Sequence, residues 1–431
     1  MNKHLPAMFC IAVVFAYSAC AAELAVKPDK ADGIYSVGET IRWDISLKDA
    51  PGVTGVSYTV KKGGLSNISE GTLDIVDGAA SVTAAAEEPG TLLVAVKASG
   101  GTVKLQTLGG AVIAPEMIKP SMERPADFDA FWEKKIAELI AVPANPVLDQ
   151  SDSGKANVGY WKITMDNIRG TKIRGNLARP KAGDTFPALL LVQYAGVYPL
   201  PKNGAVDKAA QGWLTLNIIA HDLPVDEKPE FYKQQDAGPL KNYVAIGNED
   251  RETSYFLRMY LSCYRAVDYL ASRPDWNGKV LAVMGTSQGG LQTIVTAGFH
   301  PKVTAALALV PAGCDTTAAN AQRAPGWPYW HNHINMGMGK DMAKIMETSR
   351  YYDAVNFASK ITCPLLIGVG SIDTTSPAAG VTAAYNLSAG KKELVILPLA
   401  DHKGANNSHK EYYNRATFWL GELLKGNSPV Q

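Results

Sequence analysis

The stretch Val280-Leu-Ala-Val-Met-Gly285-Thr286-Ser287-Gln288-Gly289-Gly290 constrains this chain more than any other. Val280 to Met284 is an uninterrupted apolar run, the pattern of a strand buried on both faces, and the residues from Leu291 onward read as a helix. Between them lies Gly-x-Ser-x-Gly. A strand-to-helix turn this tight leaves no room for side chains at the flanking positions, so glycine occupies them. The serine is held in strained backbone geometry with its hydroxyl projecting above the sheet. The start of the helix offers free N–H groups to a developing negative charge. The pattern alone is common; the strand before it and the helix after it give it weight. Ser287 is therefore the candidate nucleophile.

A strand buried on both faces needs neighbours of the same kind, and the chain supplies them. Residues 161–165 and 172–177 flank Arg169-Gly170 as a hairpin, and 188–192 and 214–220 are apolar runs. Residues 255–271 read as a helix leading to the serine strand, and 304–310, 364–369 and 393–397 follow it as further strands. Strands alternating with helices give an α/β fold with a mostly parallel, doubly wound sheet.

The first part of the chain has a different period. Ile41, Trp43, Ile45 and Leu47 alternate with polar residues, Val56, Tyr58 and Val60 repeat the pattern, and turn clusters such as Lys62-Gly-Gly64 separate such runs. Short strands at this spacing predict an all-β, immunoglobulin-like sandwich over residues 23–115, acting as a spacer or packing partner. Gly109-Gly110 through Pro125 reads as a linker. An amphipathic helix over 127–139 follows, with Phe128, Phe131, Trp132, Ile136 and Leu139 on its inner face and Asp127 placed to cap it. Residues 116–431 form the catalytic domain in this reading.

Ahead of these lie a basic start, an apolar run from Leu5 to Tyr17 and the small residues Ser18-Ala-Cys-Ala-Ala22. Residues 1–22 thus read as a signal peptide and not as a membrane span, which implies a periplasmic or extracellular protein. Ser18-Ala19-Cys20 also resembles a lipobox, with Tyr17 a poor residue for one; plain export is favoured over an anchor on Cys20. The 431 residues carry 42 Lys+Arg against 41 Asp+Glu, a balance that argues for no nucleic-acid partner. Three cysteines lie beyond the leader, without metal spacing, and read as free thiols. No metal or cofactor is expected.

A serine nucleophile needs a base, and the base needs an orienting acid. In the α/β-hydrolase fold these follow in the order serine, acid, histidine, on loops after late strands. Asp373 ends the run 364–369 and its Gly-Ser-Ile extension, and His402 ends the loop after 393–397. There are seven histidines. His4 belongs to the leader, His221 precedes the serine, His300 ends its helix, His331 and His333 lie in an aromatic irregular segment, and His409 lies beyond the loop. His402 alone meets order and position. Asp401 and Asp315 are rival acids. The oxyanion donors are read as the amides of Gln288, directly after the nucleophile, and Ala195, in the loop Gln193-Tyr194-Ala195-Gly196.

Several separated pieces carry a resemblance: Asp127-Phe-Asp-Ala-Phe-Trp132, Gly285-Thr-Ser-Gln-Gly-Gly290, Tyr352-Asp-Ala-Val-Asn-Phe357, Cys363-Pro364, Gly368-Val-Gly-Ser-Ile-Asp373 and Asp401-His402. From about residue 120 onward the chain resembles the acetyl xylan esterase/cephalosporin C deacetylase family of α/β-hydrolase serine esterases. That resemblance implies the same triad of Ser287, Asp373 and His402, and removal of acetyl groups from an acetylated oligo- or polysaccharide. The chain departs from the family at three places. The usual His-Gly-Tyr is Gln193-Tyr194-Ala195, the Arg-Gly-Gln segment is replaced by Ala220-His221-Asp222, and the His-Glu pair is His402-Lys403. An oligomer is left open, because the extra N-terminal domain stands against the family's ring-shaped hexamer. The segment Arg323-Ala-Pro-Gly-Trp-Pro-Tyr-Trp-His331 lies between two late strands and reads as a cap over the site, where Trp327, Tyr329 and Trp330 are candidate sugar-stacking residues; Tyr194 is a further candidate for substrate binding. The alternatives are an esterase of feruloyl or glucuronoyl type, a peptidase on the same fold, and a non-catalytic polysaccharide-binding protein.

Overall fold

A computed structural model describes residues 21–101, 103–330 and 338–430. The leader up to Cys20, and His331 and His333, lie outside these. Eight strands come first: β1 (Glu23–Pro28), β2 (Ile34–Tyr35), β3 (Ile41–Lys48), β4 (Gly55–Lys62), β5 (Ser66–Asp74), β6 (Ala79–Ala84), β7 (Gly90–Gly100) and β8 (Val103–Ile113). They form a three-stranded sheet in the order β1-β3-β6 and a five-stranded sheet in the order β2-β8-β7-β4-β5. The alternation in β3 does what its period dictates: Ile41, Trp43, Ile45 and Leu47 are buried while Arg42 and Asp44 face water. These side chains share one core with Val56, Val60, Val94 and Val96 of the other sheet.

The linker reading fails at its start. Gly109 and Gly110 lie inside β8, paired with Val94 and Leu93. A Cβ on Gly109 would stand 2.5 Å from Val26 and 2.8 Å from the Trp43 ring. Glycine is there for close approach, not for flexibility. A short connection over residues 114–127 then leads to α1 (Phe128–Ile140). Phe128, Phe131, Trp132 and Leu139 are buried as expected. Asp127 does not cap this helix; its carboxylate binds Arg251 at 2.7 Å and the Tyr351 hydroxyl instead.

The remaining elements, in order, are β9 (Val147–Ser151), β10 (Val158–Asp166), β11 (Lys172–Pro180), β12 (Phe186–Val192), α2 (Asn203–Ala210), β13 (Leu214–Ile218), α3 (Pro229–Ala237), α4 (Tyr255–Ser272), β14 (Trp276–Thr286), α5 (Gln288–Phe299), β15 (Ala305–Leu309), α6 (Met342–Tyr352), α7 (Ala354–Ala358), β16 (Leu365–Gly370), α8 (Ala378–Leu387), β17 (Lys392–Leu397) and α9 (Lys410–Leu424). Nine strands make one mixed sheet in the order β17-β16-β15-β14-β12-β13-β11-β10-β9. Strands β12 to β17 are parallel, and β9, β10 and β11 add an antiparallel edge.

Alternate residues of the central strands feed two cores. Leu190, Leu281, Val283, Ala306 and Ile367 pack on the side of α1, α4, α5 and α8, while Leu189, Ala282, Leu307 and Leu366 pack against α9 through Tyr412 and Trp419. Both faces are covered, which is why these strands are apolar throughout. Strand β12 sits between β13 and β14, so the winding direction reverses there. A sheet of this kind opens a crevice at its carboxyl ends at that point. No helix among the described residues is long and apolar enough to cross a membrane.

Candidate active site

The turn between β14 and α5 holds Ser287 at φ 58°, ψ −119°. Three glycines make this geometry affordable. A Cβ on Gly285 would lie 2.4 Å from the Gly289 backbone, one on Gly289 would lie 2.5 Å from Val192 O, and one on Gly290 would lie 2.8 Å from Pro311 Cα. The backbone of Ser287 is itself clamped, its N–H donating to Leu309 O at 2.9 Å and its carbonyl accepting from Ala312 N at 3.0 Å.

The loops after β16 and β17 converge on this serine. His402 Nε2 lies 2.8 Å from Ser287 Oγ, and His402 Nδ1 lies 2.7 Å from Asp373 Oδ2. The other Asp373 oxygen accepts the amides of Thr375 and Ser376, both at 2.8 Å. Its side chain is fully buried, whereas His402 keeps about a fifth of its surface exposed. Because a carboxylate only accepts, Nδ1 carries the proton and Nε2 is the acceptor facing the serine. In that tautomer the ring can take the hydroxyl proton as the oxygen attacks a carbonyl.

The rival acids are occupied elsewhere. Asp401 turns back on its own loop, accepting from Lys403 N at 3.1 Å and Ala405 N at 3.0 Å. Asp315 is buried in a structural network with Ser121 N at 2.9 Å and Arg323 Nη2 at 2.7 Å. Beside it, Asp353 takes the amides of Asp315 and Thr316. Burial, followed by repulsion from Asp315, raises the Asp353 carboxyl to about 7. His409 Nε2 donates to Asp401 O at 3.0 Å, bracing the histidine loop from behind.

The loop after β12 lies across the crevice. Gln193 is buried and held at both ends. Its carbonyl accepts from Gln292 Nε2 at 3.0 Å, and its own Oε1 accepts from Ala220 N at 3.0 Å. Ala195 follows, half-buried, and Gln288 opens α5 on the facing wall. Tyr243 spans the two walls. Its hydroxyl donates to Gln288 Oε1 at 2.5 Å and accepts from Gly196 N at 3.3 Å. His221 Nε2 lies 3.0 Å from Gly196 O and its Nδ1 lies 2.6 Å from the Tyr255 hydroxyl. Since the carbonyl can only accept, Nε2 bears the hydrogen and Nδ1 accepts from Tyr255. Burial pushes the His221 imidazole down to about 4, so the ring is neutral. Sequence reasoning gave no role to Tyr243, and named His221 as a histidine preceding the serine and as a departure from the family pattern, without a function.

The proposed sugar platform is corrected in part. Trp330 is buried at 2% exposure, its Nε1 donates to Val244 O at 2.6 Å, and its ring lies 5.0 Å from Phe256. It is core, with no face left for a sugar. Trp327 is half-buried and stacks on Phe256 at 5.7 Å; Tyr329 is half-buried. The backbone of this segment joins the acid loop, with Trp327 N donating to Thr375 O at 2.8 Å. Tyr194 is 56% exposed and stacks on Tyr198 at 4.7 Å. Cys263, Cys314 and Cys363 are free, as expected. Among the described residues no cluster of His, Cys, Asp and Glu is arranged to hold a metal ion.

A mixed sheet with a serine on a strained turn at its switch point, faced by histidine and acid from late strands, defines an α/β-hydrolase. The sequence matches the acetyl xylan esterase (AXE1) family over residues 116–422. It is 31% identical over 382 residues to acetyl esterase Axe7A of Xylanibacter ruminicola, a match covering 87% of this chain and 85% of that protein. An alignment of that extent runs into the β-rich N-terminal part as well. Among solved structures, an acetyl xylan esterase from Paenibacillus sp. R4 aligns at 25% identity with a TM-score of 0.59, covering 70% of this chain and 97% of its own. Acetyl xylan esterase 1 from Thermoanaerobacterium sp. shares the fold at 18% identity, also with a TM-score of 0.59, over 70% of this chain and 96% of its own. The chain belongs to the acetyl xylan esterase family. It is a carboxylic ester hydrolase acting on carbohydrate acetyl esters.

Proposed function

We propose that this protein is an exported serine esterase that removes O-acetyl groups from xylan-type oligo- or polysaccharides through Ser287, His402 and Asp373. The hydrogen-bonded line from Ser287 Oγ through His402 to the buried Asp373 carries this reading. His402 takes the serine proton as Ser287 attacks the ester carbonyl, and returns it to the departing sugar oxygen. The acetyl group stays on Ser287 until water, deprotonated by the same histidine, releases acetate. Amides of Gln288 and Ala195 hold the tetrahedral oxyanion. Tyr194, Trp327 and Tyr329 border the sugar.

The apolar run from Leu5 to Tyr17 supports export to the periplasm or beyond, with residues 1–22 removed as a leader. Residues 23–115 are taken as an immunoglobulin-like domain on the strength of their two packed sheets, and 116–431 as the catalytic domain. Acetate release from acetylated xylan, measured beside Ser287→Ala, tests the proposal. Serine-dependent release supports it. Hydrolysis of a small aryl acetate without release from xylan would keep the mechanism and reject the polymer.

A further inference from the structure

The N-terminal strands meet the loops of the active site at three close approaches. Gly110 in β8 faces Ser371, two residues before Asp373, and a Cβ there would stand 2.4 Å from Ser371 O. The Trp43 indole donates to Gly110 O at 3.3 Å, tying that point of β8 into the core of its own sheets. Gly33, at φ 66°, lies against Pro398, four residues before His402; a Cβ would come within 3.1 Å of the proline Cβ. Gly63, in the turn between β4 and β5, accepts Ala324 N–H on its carbonyl at 2.8 Å. Ala324 begins the stretch that continues past Gly326, packed against Thr375 O, to Trp327. Elsewhere a cleft of about 950 Å³ opens between β1 and the segment after β17, while β7 packs on α8 and Val112 of β8 joins the core shared with α1, α4 and α5.

The same strands are poorly equipped to hold a sugar. Residues 23–115 contain three aromatic side chains, of which Tyr35 and Trp43 are buried and Tyr58 is half-buried. A platform for a pyranose ring is an exposed aromatic face, and the one partly exposed candidate, Tyr58, lies with its ring over Gly71 of the neighbouring strand.

We infer that the N-terminal β-module is a positioning element of the esterase, with Gly110 setting the loop of Asp373 and Gly33 setting the loop of His402. This rests on the roles proposed above for those two residues. The module thus acts on turnover of any ester that reaches Ser287, not on retention of a polymer. Angström-scale displacement of a reacting group costs up to about a hundredfold in rate.

The test is steady-state kinetics of the full chain carrying Gly110→Ala or Gly33→Ala, on a small aryl acetate and on acetylated xylan, with folding checked by circular dichroism and thermal melting. The substituted methyl groups push on Ser371 O and on Pro398. The expected result is a kcat lowered about tenfold or more on both substrates, with KM for the aryl acetate within about twofold of wild type. Wild-type kcat on aryl acetate in the folded variants, or a rise in KM confined to xylan, overturns the inference. Should Gly110→Ala not fold, Gly33→Ala decides, since the atoms its methyl meets first belong to the Pro398 side chain, at 3.1 and 3.2 Å, and not to backbone. Absence of serine-dependent hydrolysis in the wild type would instead sink the underlying catalytic reading, and this inference with it.

Discussion

Asp373 and His402 lie 2.7 Å apart with the carboxylate fully buried, and the second carboxylate oxygen is saturated by two amides of its own loop. The acid is therefore fixed in orientation, and each oxygen has one job.

That division predicts the outcome of Asp373→Asn. The new amide oxygen takes the side facing Thr375 N and Ser376 N, which leaves the NH₂ aimed at His402 Nδ1. The ring must then carry its proton on Nε2 and cannot accept from Ser287. We expect kcat to fall about 10⁴-fold with the melting temperature little changed. Asp401→Asn, at a carboxylate turned toward Lys403 and Ala405, should cost less than about tenfold. Comparable losses in both would remove Asp373 from its role.

Ser287 itself should be a source of strain. Its φ of 58° with ψ of −119° is a region open to glycine and costly for other residues. Ser287→Gly is expected to abolish hydrolysis and raise stability by about 1 kcal/mol, read as a higher melting temperature. An inactive variant that melts below wild type would argue against stored strain.

Tyr243 bridges the two walls that carry the proposed oxyanion donors, through Gln288 Oε1 and Gly196 N. Tyr243→Phe keeps the ring and removes the bridge. We expect kcat on an aryl acetate to drop by about tenfold while KM holds within about twofold, as suits a group that positions donors used in the transition state. A KM effect alone would place Tyr243 in ground-state binding.

His221 gives the fold a pH dependence of known sign. Burial favours the neutral ring, with a folded value of about 4 against an ordinary 6.5. The stabilisation is complete above about pH 6.5 and is lost as pH falls toward 4, because the unfolded chain takes up the proton first. The full difference corresponds to about 3 kcal/mol. His221→Gln can still donate to Gly196 O but does not titrate. Its melting temperature should decline less than that of wild type between pH 7 and pH 4.5; parallel declines would show that other groups dominate.

How much of this was legible in the sequence depends on how local each signal is. Ser287, Asp373 and His402 stand at the ends of apolar strands, and the chain order of a late-strand acid and histidine is encoded along the sequence. The bracing of the loop after β12 joins His221 to Gly196 and Tyr243 to Gln288, contacts between segments 25 and 45 residues apart that no short pattern announces. Gly109-Gly110 was misread because a glycine pair looks the same in a linker and at a crowded strand position. Trp330 was misread because an aromatic in an irregular segment gives no sign of which way it faces. Strand β9 was missed because its residues are exposed or half-exposed, leaving no alternation to detect.

The reading as a whole stands on covalent catalysis by Ser287. Treatment with a fluorophosphonate, followed by peptide mass mapping, addresses this step without assuming any particular sugar. One adduct per chain on Ser287, formed in step with loss of acetate release and blocked in His402→Ala, is the expected result. Loss of activity with Ser287 unmodified, or full activity with Ser287 modified, would contradict it.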